Sequence, residues 1–156
     1  MNPVKIDPVW LMHIQKPARY IGGEWNSVVK DHDSVDVKVA LAFPDVYEVA
    51  MSHLGLKIIY SVLNSRDDTL AERVYAPWVD MEALMREKHI PLYALESKMP
   101  VKDFDVLGFT MPFEMCYTNI LNMLDQDVIS FAIIPEDEET TQNPGYICRP
   151  FYDDEM

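Results

Sequence analysis

Between Val35 and Phe43 apolar residues crowd together until Val39-Ala40-Leu41-Ala42-Phe43 forms an unbroken run. A strand covered on both faces reads this way, because neither side alternates with water. Pro44 and Asp45 stop it. The period then changes. Val46, Val49, Ala50, His53, Leu56, Ile59, Tyr60 and Leu63 recur at every third or fourth position, which predicts one helix over 46–64. Its predicted inner face is Val49, His53, Leu56 and Ile59, with Gly55 allowing a close approach to the sheet despite its poor helix propensity. Leu70–Ala76 predicts a second strand, closed by Pro77. Asp80 is expected to cap a helix whose inner residues are Met81, Leu84 and Met85. Ile90–Leu95 predicts a third strand, confined to an edge by Pro91. Phe104–Thr110 predicts a fourth, and Asp105–Thr110 is expected to pair in parallel with Val37–Phe43. A helix opened by Pro112 follows, with Tyr117, Ile120, Leu121 and Leu124 on one face, and Val128–Ile134 predicts a fifth strand.

Ahead of this pattern lies a leader, residues 1–34. Asp7-Pro8 reads as an N-cap with proline in the first helical position, opening a short helix to about His13. Pro17 ends it, Gly22-Gly23 makes a turn between extended pieces, and the polar stretch Lys30–Ser34 separates the leader from a domain over 35–135. Strands and helices alternate, which predicts an α/β fold of the Rossmann-like, doubly wound kind. Its sheet would be mainly parallel and five-stranded, with helices on both faces. Residues 96–103 are short for a helical crossover, so either an irregular segment crosses there or one strand runs antiparallel.

Charge changes the picture at one end. Residues 125–156 hold nine acids and one base, and the whole chain carries a formal charge of −13. Such a field repels phosphate backbones, so nucleic acid is not an expected partner. Residues 136–156 combine seven of those acids with Pro144, Gly145 and Pro150, the composition of a poorly ordered tail. No apolar run approaches the length of a membrane span, and the N-terminus lacks the apolar stretch of a signal peptide. A cytoplasmic location is therefore expected. Cys116 and Cys148 make neither a disulfide framework nor a complete metal site.

Ligands of open α/β sheets bind beyond the carboxyl ends of the strands. That rule selects Pro44, Asp45 and Tyr47 after the first strand, and Thr110, Met111, Pro112 and Phe113 after the fourth. The polar atoms there are too few for hydrolysis and suit a large, mostly apolar ligand. The alternative gives Asp45 to helix capping and Tyr47 to packing on Phe113. No phosphate-cradling glycine loop and no Gly-x-Ser-x-Gly occurs, which also removes the support for a small flavodoxin-like redox protein. His13, His32, His53 and His89 show no metal-ligand spacing. Cys116 could pair with His53 or His89, or be an ordinary packed thiol, the reading its amphipathic surroundings favour.

Six blocks carry a family resemblance: KPARYIGGEWNSVVK (16–30), VALAFPDVYEVAMSHLGLKIIYSVLN (39–64), AERVYAPWVDMEALM (71–85), IPLYALES (90–97), FDVLGFTMPFEM (104–115) and YTNILNMLD (117–125). Over residues 16–125 the chain resembles the N-terminal, cobalamin-binding-like domain of large radical S-adenosylmethionine proteins. After about residue 126 it departs from them. The resemblance implies the Rossmann-like sheet already read from periodicity. It also implies cobalamin as the cofactor, with Asp45, Tyr47, His53, Thr110, Met111 and Phe113 as the residues around it.

Cobalamin domains that ligate cobalt carry Asp-x-His-x-x-Gly after the first strand. Here Asp45-Val46-Tyr47-Glu48-Val49-Ala50 stands in that place, and a neutral phenol is a poor cobalt ligand beside imidazole. His53 lies nearby at a spacing foreign to the motif. Thr110-Met111-Pro112 matches only loosely the Ser-x-Leu that such domains carry after the fourth strand, and Ile133-Ile134-Pro135-Glu136-Asp137 replaces their Gly-Gly after the fifth. The family's cluster needs Cys-x-x-x-Cys-x-x-Cys, which two distant cysteines cannot supply, so no iron–sulfur cluster is expected in this chain. The resemblance thus implies an accessory module without a complete catalytic site, partnered by a radical S-adenosylmethionine domain in cis or in trans. The alternative is a stand-alone Rossmann-like domain that binds another protein.

Overall fold

The computed structural model describes residues 3–126 and 147–148. Strand β1 (Val37–Phe43) lies at the centre of a sheet ordered β2-β1-β3-β4. Strands β2 (Thr69–Tyr75) and β3 (Val106–Phe109) both run parallel to it, and Val39↔Val106 through Ala42↔Phe109 gives the expected pairing of the first and fourth predicted strands. The short β4 (Ile147–Cys148) is antiparallel to β3. The described residues thus show three parallel strands and one antiparallel, in place of five mainly parallel ones. The predicted fifth strand, Val128–Ile134, and nearly all of the acidic tail lie outside the described residues.

The unbroken apolar run of β1 is explained by two cores. Ala40 and Ala42 face one, with Met81 and Met85 of α4 (Val79–Lys88) and Met123 and Leu124 of α5 (Tyr117–Gln126). Val39, Leu41 and Phe43 face the other, with Leu56 and Tyr60 of α3 (Leu54–Asn64). Alternate residues of one strand therefore enter opposite layers, and helices lie on both faces of the sheet.

Three expectations need correction. The predicted helix 46–64 is broken into α2 (Tyr47–Ala50) and α3, with His53 as the N-cap between them, its Nδ1 accepting the Leu56 N–H at 3.2 Å. The break resets the register, so Leu56 and Tyr60 point inward while Val49 and Ile59 are about half exposed, at 48% and 47%. Gly55 is close to the His53 ring, not to the sheet: a Cβ there would sit 3.0 Å from the ring carbon. On α5 the inward residues are Ile120, Met123 and Leu124, whereas Tyr117 and Leu121 are exposed.

Ile90–Leu95 forms no strand. Beyond α4, whose end is closed by His89 in the left-handed region, the chain makes a buried loop. Tyr93 and Pro100 form an isolated bridge, Ala94 N–H donates to Met99 O, and Val101 N–H to Leu92 O. Pro91 and Pro100 lack the N–H groups a ladder needs. This is the irregular crossing that residues 96–103 left open.

In the leader, α1 (Pro8–Leu11) is capped by the Asp7 carboxylate, which accepts from Val9 N–H at 2.9 Å. Gly22 and Gly23 both have positive φ as a turn requires, and at Gly22 a side chain would collide with Leu95 O at 2.4 Å. A 3-10 turn over Pro17–Tyr20 stands where an extended piece was expected.

Candidate functional site

The β1–β3 pairing brings two of the predicted loops side by side. Thr110 N–H donates to Ala42 O at 2.9 Å, so Thr110 and Met111 lie beside the Pro44-Asp45 turn. Asn119 of α5 donates its amide to Pro44 O at 2.9 Å, pinning that turn from the other side. Thr110 and Met111 are half-buried, and Phe113 and Met115 beyond them are exposed. Cys116 is buried under this rim, where burial pushes its thiol up. It is a packed cysteine. Among the described residues no group of histidine, cysteine and acidic side chains is arranged to hold a metal ion.

Asp45 and Tyr47 do other work. Asp45 accepts Val46 N–H at 2.7 Å, but Val46 itself is the N-cap of α2 and takes no side-chain cap. Tyr47 turns away from Phe113. Its ring meets Tyr75 edge-on at 5.5 Å, and its hydroxyl donates to Glu24 of the leader. Burial and the Glu24 carboxylate push the Tyr47 phenol up to about 12. The His53 ring packs on Phe43 at 5.2 Å, and with Nδ1 accepting from Leu56 its proton resides on Nε2. The Tyr47 hydroxyl is engaged by Glu24 and His53 Nδ1 by the Leu56 N–H, and a neutral phenol is in any case a weak ligand, so these two residues do not fit as protein ligands to cobalt.

Behind this rim lies a polar constellation that the pattern of the sequence conceals. Arg73, in the middle of β2 and 7% exposed, donates to Glu96 through Nε and to Glu24 through Nη1, both at 2.6 Å, and lies 5.0 Å over the Tyr60 ring. Glu96 also accepts Arg73 N–H at 2.8 Å, so a carboxylate takes the place of a neighbouring strand at the open edge of β2. Burial raises the Glu96 carboxyl against the pull of Arg73. Burial works the same way on Glu24, but hydrogen bonds from Tyr47 and Arg73 outweigh it and hold that carboxyl low.

One residue earlier, fully buried Glu72 points to the opposite layer, where it accepts from Ser97 Oγ at 2.6 Å and lies 2.8 Å from His32 Nε2. The signal was present: Glu72-Arg73 interrupts an otherwise apolar strand, and a buried charge pair implies partners. Those partners stand 23 to 49 residues away, which spacing rules do not reach.

A narrow cleft at the carboxyl end of β2 is lined by Arg19, Tyr20, Tyr47, Tyr75 and Tyr93. Its interior of about 20 Å³ has room for little more than a water molecule. It therefore closes the leader onto the domain and admits no organic ligand.

At its mouth Arg19 Nε lies 2.7 Å and Lys16 Nζ 3.0 Å from Glu48. Hydrogen bonds from Arg19 and then Lys16 hold the Glu48 carboxyl down at about 2. Its folded value is below the ordinary one, so the leader tie is complete above about pH 4.5 and is lost as pH falls towards 2. Carboxyl NMR should show Glu48 titrating near 2, with amide protection at residues 16–21 falling alongside. An ordinary titration near 4.5 would contradict the tie.

The family model described as radical SAM proteins, N-terminal, matches residues 55–142, more than half of the chain. The match begins inside α3 and continues past α5, so it includes a stretch beyond residue 126 that the sequence blocks had set apart from the family. No curated protein matches the chain, and no solved structure does.

Proposed function

This chain belongs to the N-terminal family of radical SAM proteins, and on that premise we propose that it is an accessory module. It docks against a radical SAM catalytic region and carries no complete catalytic site of its own. The family match carries the reading. Two features support it: the chain has two cysteines, 32 positions apart, and the Tyr47 hydroxyl just beyond β1 is bound to Glu24 of the leader. Calorimetric titration with a recombinant catalytic region, bearing the three-cysteine motif, from a protein whose N-terminal region belongs to this family tests it. Saturable binding is expected. No heat at roughly millimolar partner, where binding energy has shrunk to about −4 kcal/mol, would contradict the reading.

A second reading adds a cofactor, favoured by the rim of Met111, Phe113 and Met115. On it Thr110, Met111 and Phe113 would hold a corrin by apolar contact, with Asp45 beside them. Bound there, cobalamin supplies radical chemistry at cobalt. The rim supplies apolar contact and excludes water. Hydroxocobalamin should bind without the spectrum of histidine ligation, and Met111→Glu should weaken binding roughly tenfold by setting a charge under the ring. A histidine-ligated spectrum, or equal binding by Met111→Glu, would rule this placement out.

A further inference from the structure

The cleft at the carboxyl end of β2 gathers three buried polar atoms that have no partner. Tyr93 is 7% exposed, and its hydroxyl makes no hydrogen bond. The Tyr75 hydroxyl and Arg19 Nη1 are buried and unpartnered in the same way. All three residues line this one cleft. They come from three separate segments: Arg19 from the leader, Tyr75 from the end of β2, and Tyr93 from the buried loop after α4. Buried polar groups are ordinarily hydrogen-bonded, so three of them at one place mark the seat of something that accepts from them.

The groups form a set of donors. Arg19 Nη1 carries two protons and no lone pair, and each phenol offers one proton. Burial pushes the Tyr75 and Tyr93 phenols up, so both keep their protons. Tyr20, also in the lining, already accepts Trp78 N–H at 3.1 Å, which leaves its own proton to give. No acid stands against them, because Arg19 is the one charged residue of the lining. The carboxylates beyond the walls are engaged elsewhere. Asp80 accepts from Gln15 and Met81 N–H at 2.6 and 2.8 Å, and Glu24 is held by Tyr47 and Arg73. At the mouth Lys16 and Arg19 share Glu48, two cations to one carboxylate, which leaves one positive charge. The overall charge of −13 does not decide the matter, since exposed charges are screened beyond about 8 Å at physiological salt.

Size narrows the ligand further. An interior of about 20 Å³ holds one body little larger than a water molecule, which excludes sulfate, phosphate and organic anions. Water fits, but its two lone pairs cannot serve four donor protons, nor does it offset a guanidinium. A monatomic anion does both, through charge-assisted hydrogen bonds.

We propose that this cleft is a halide site, in which one chloride-sized anion accepts from Arg19 Nη1 and the Tyr75 and Tyr93 hydroxyls and so fastens the leader to β2 and to the buried loop. The site is independent of the accessory-module reading.

Chloride NMR of the whole chain tests it, because exchange with a protein site broadens the line of the free ion. Excess width is expected in the wild type, displaced by bromide and not by sulfate at equal ionic strength. Tyr93→Phe removes a hydroxyl that bonds to nothing in the protein, so the domain keeps its melting temperature in chloride-free buffer. Its chloride affinity should fall about tenfold, the loss of one hydrogen bond to a charged group. Tyr117→Phe, at an exposed position of α5, leaves the affinity unchanged. No excess width in the wild type would mean that water fills the cleft, and would overturn the proposal. Binding that Tyr93→Phe leaves at full strength would overturn it too, because the anion would then lie elsewhere.

Discussion

Arg73→Ala should lower the unfolding free energy by about 3–5 kcal/mol, the cost of stripping one partner from a buried ion pair. Arg73 is the sole cation hydrogen-bonded to fully buried Glu96 among the described residues, and it also holds Glu24. Without it, the buried Glu96 side chain keeps no hydrogen-bonded cation, and partly buried Glu24 loses its tie to β2. The leader should loosen locally at the same time, because Glu24 ties it to Arg73 of β2. Urea denaturation reads the first effect, and amide exchange over residues 20–30 the second. Arg73→Met with Glu24→Gln and Glu96→Gln should recover much of the loss, since a buried ion cluster replaced as a whole leaves no charge uncompensated. A midpoint shift below about 0.5 kcal/mol in Arg73→Ala would show that the cluster contributes nothing to the fold.

Leu56→Ala should cost about 2–5 kcal/mol, whereas Ile59→Ala, one turn on, should stay within about 0.5 kcal/mol. Leu56 is 2% exposed among Val39, Leu41, Phe43 and Ala50, and its truncation opens a cavity in the smaller core. Ile59 is 47% exposed and has far less contact to lose. Equal losses in the two variants would mean that the helix is rotated from the register described.

This contrast also marks where periodicity misleads. A three-and-four pattern cannot distinguish a helix turned to the core from two helices whose junction rotates the register. Val49, His53, Leu56 and Ile59 fit one continuous helix, yet His53 caps the second and only Leu56 of the four is fully buried. Central β1 and its pairing with β3 were legible because two-sided burial leaves an unbroken apolar run. Ile90–Leu95 is as apolar, but it is buried as a loop, and apolar content alone does not separate the two.

The β1–β3 loops were placed correctly beside each other. Tyr47 was not placed correctly beside Phe113, because Glu24, 23 residues earlier, claims its hydroxyl. Long-range polar partners of this sort leave no local period.

Amide hydrogen exchange of this chain, with and without the recombinant catalytic region, tests most directly whether the module docks against that region. A contiguous stretch of new protection is expected at saturating partner. Exchange unaltered throughout residues 3–126 would contradict the docking.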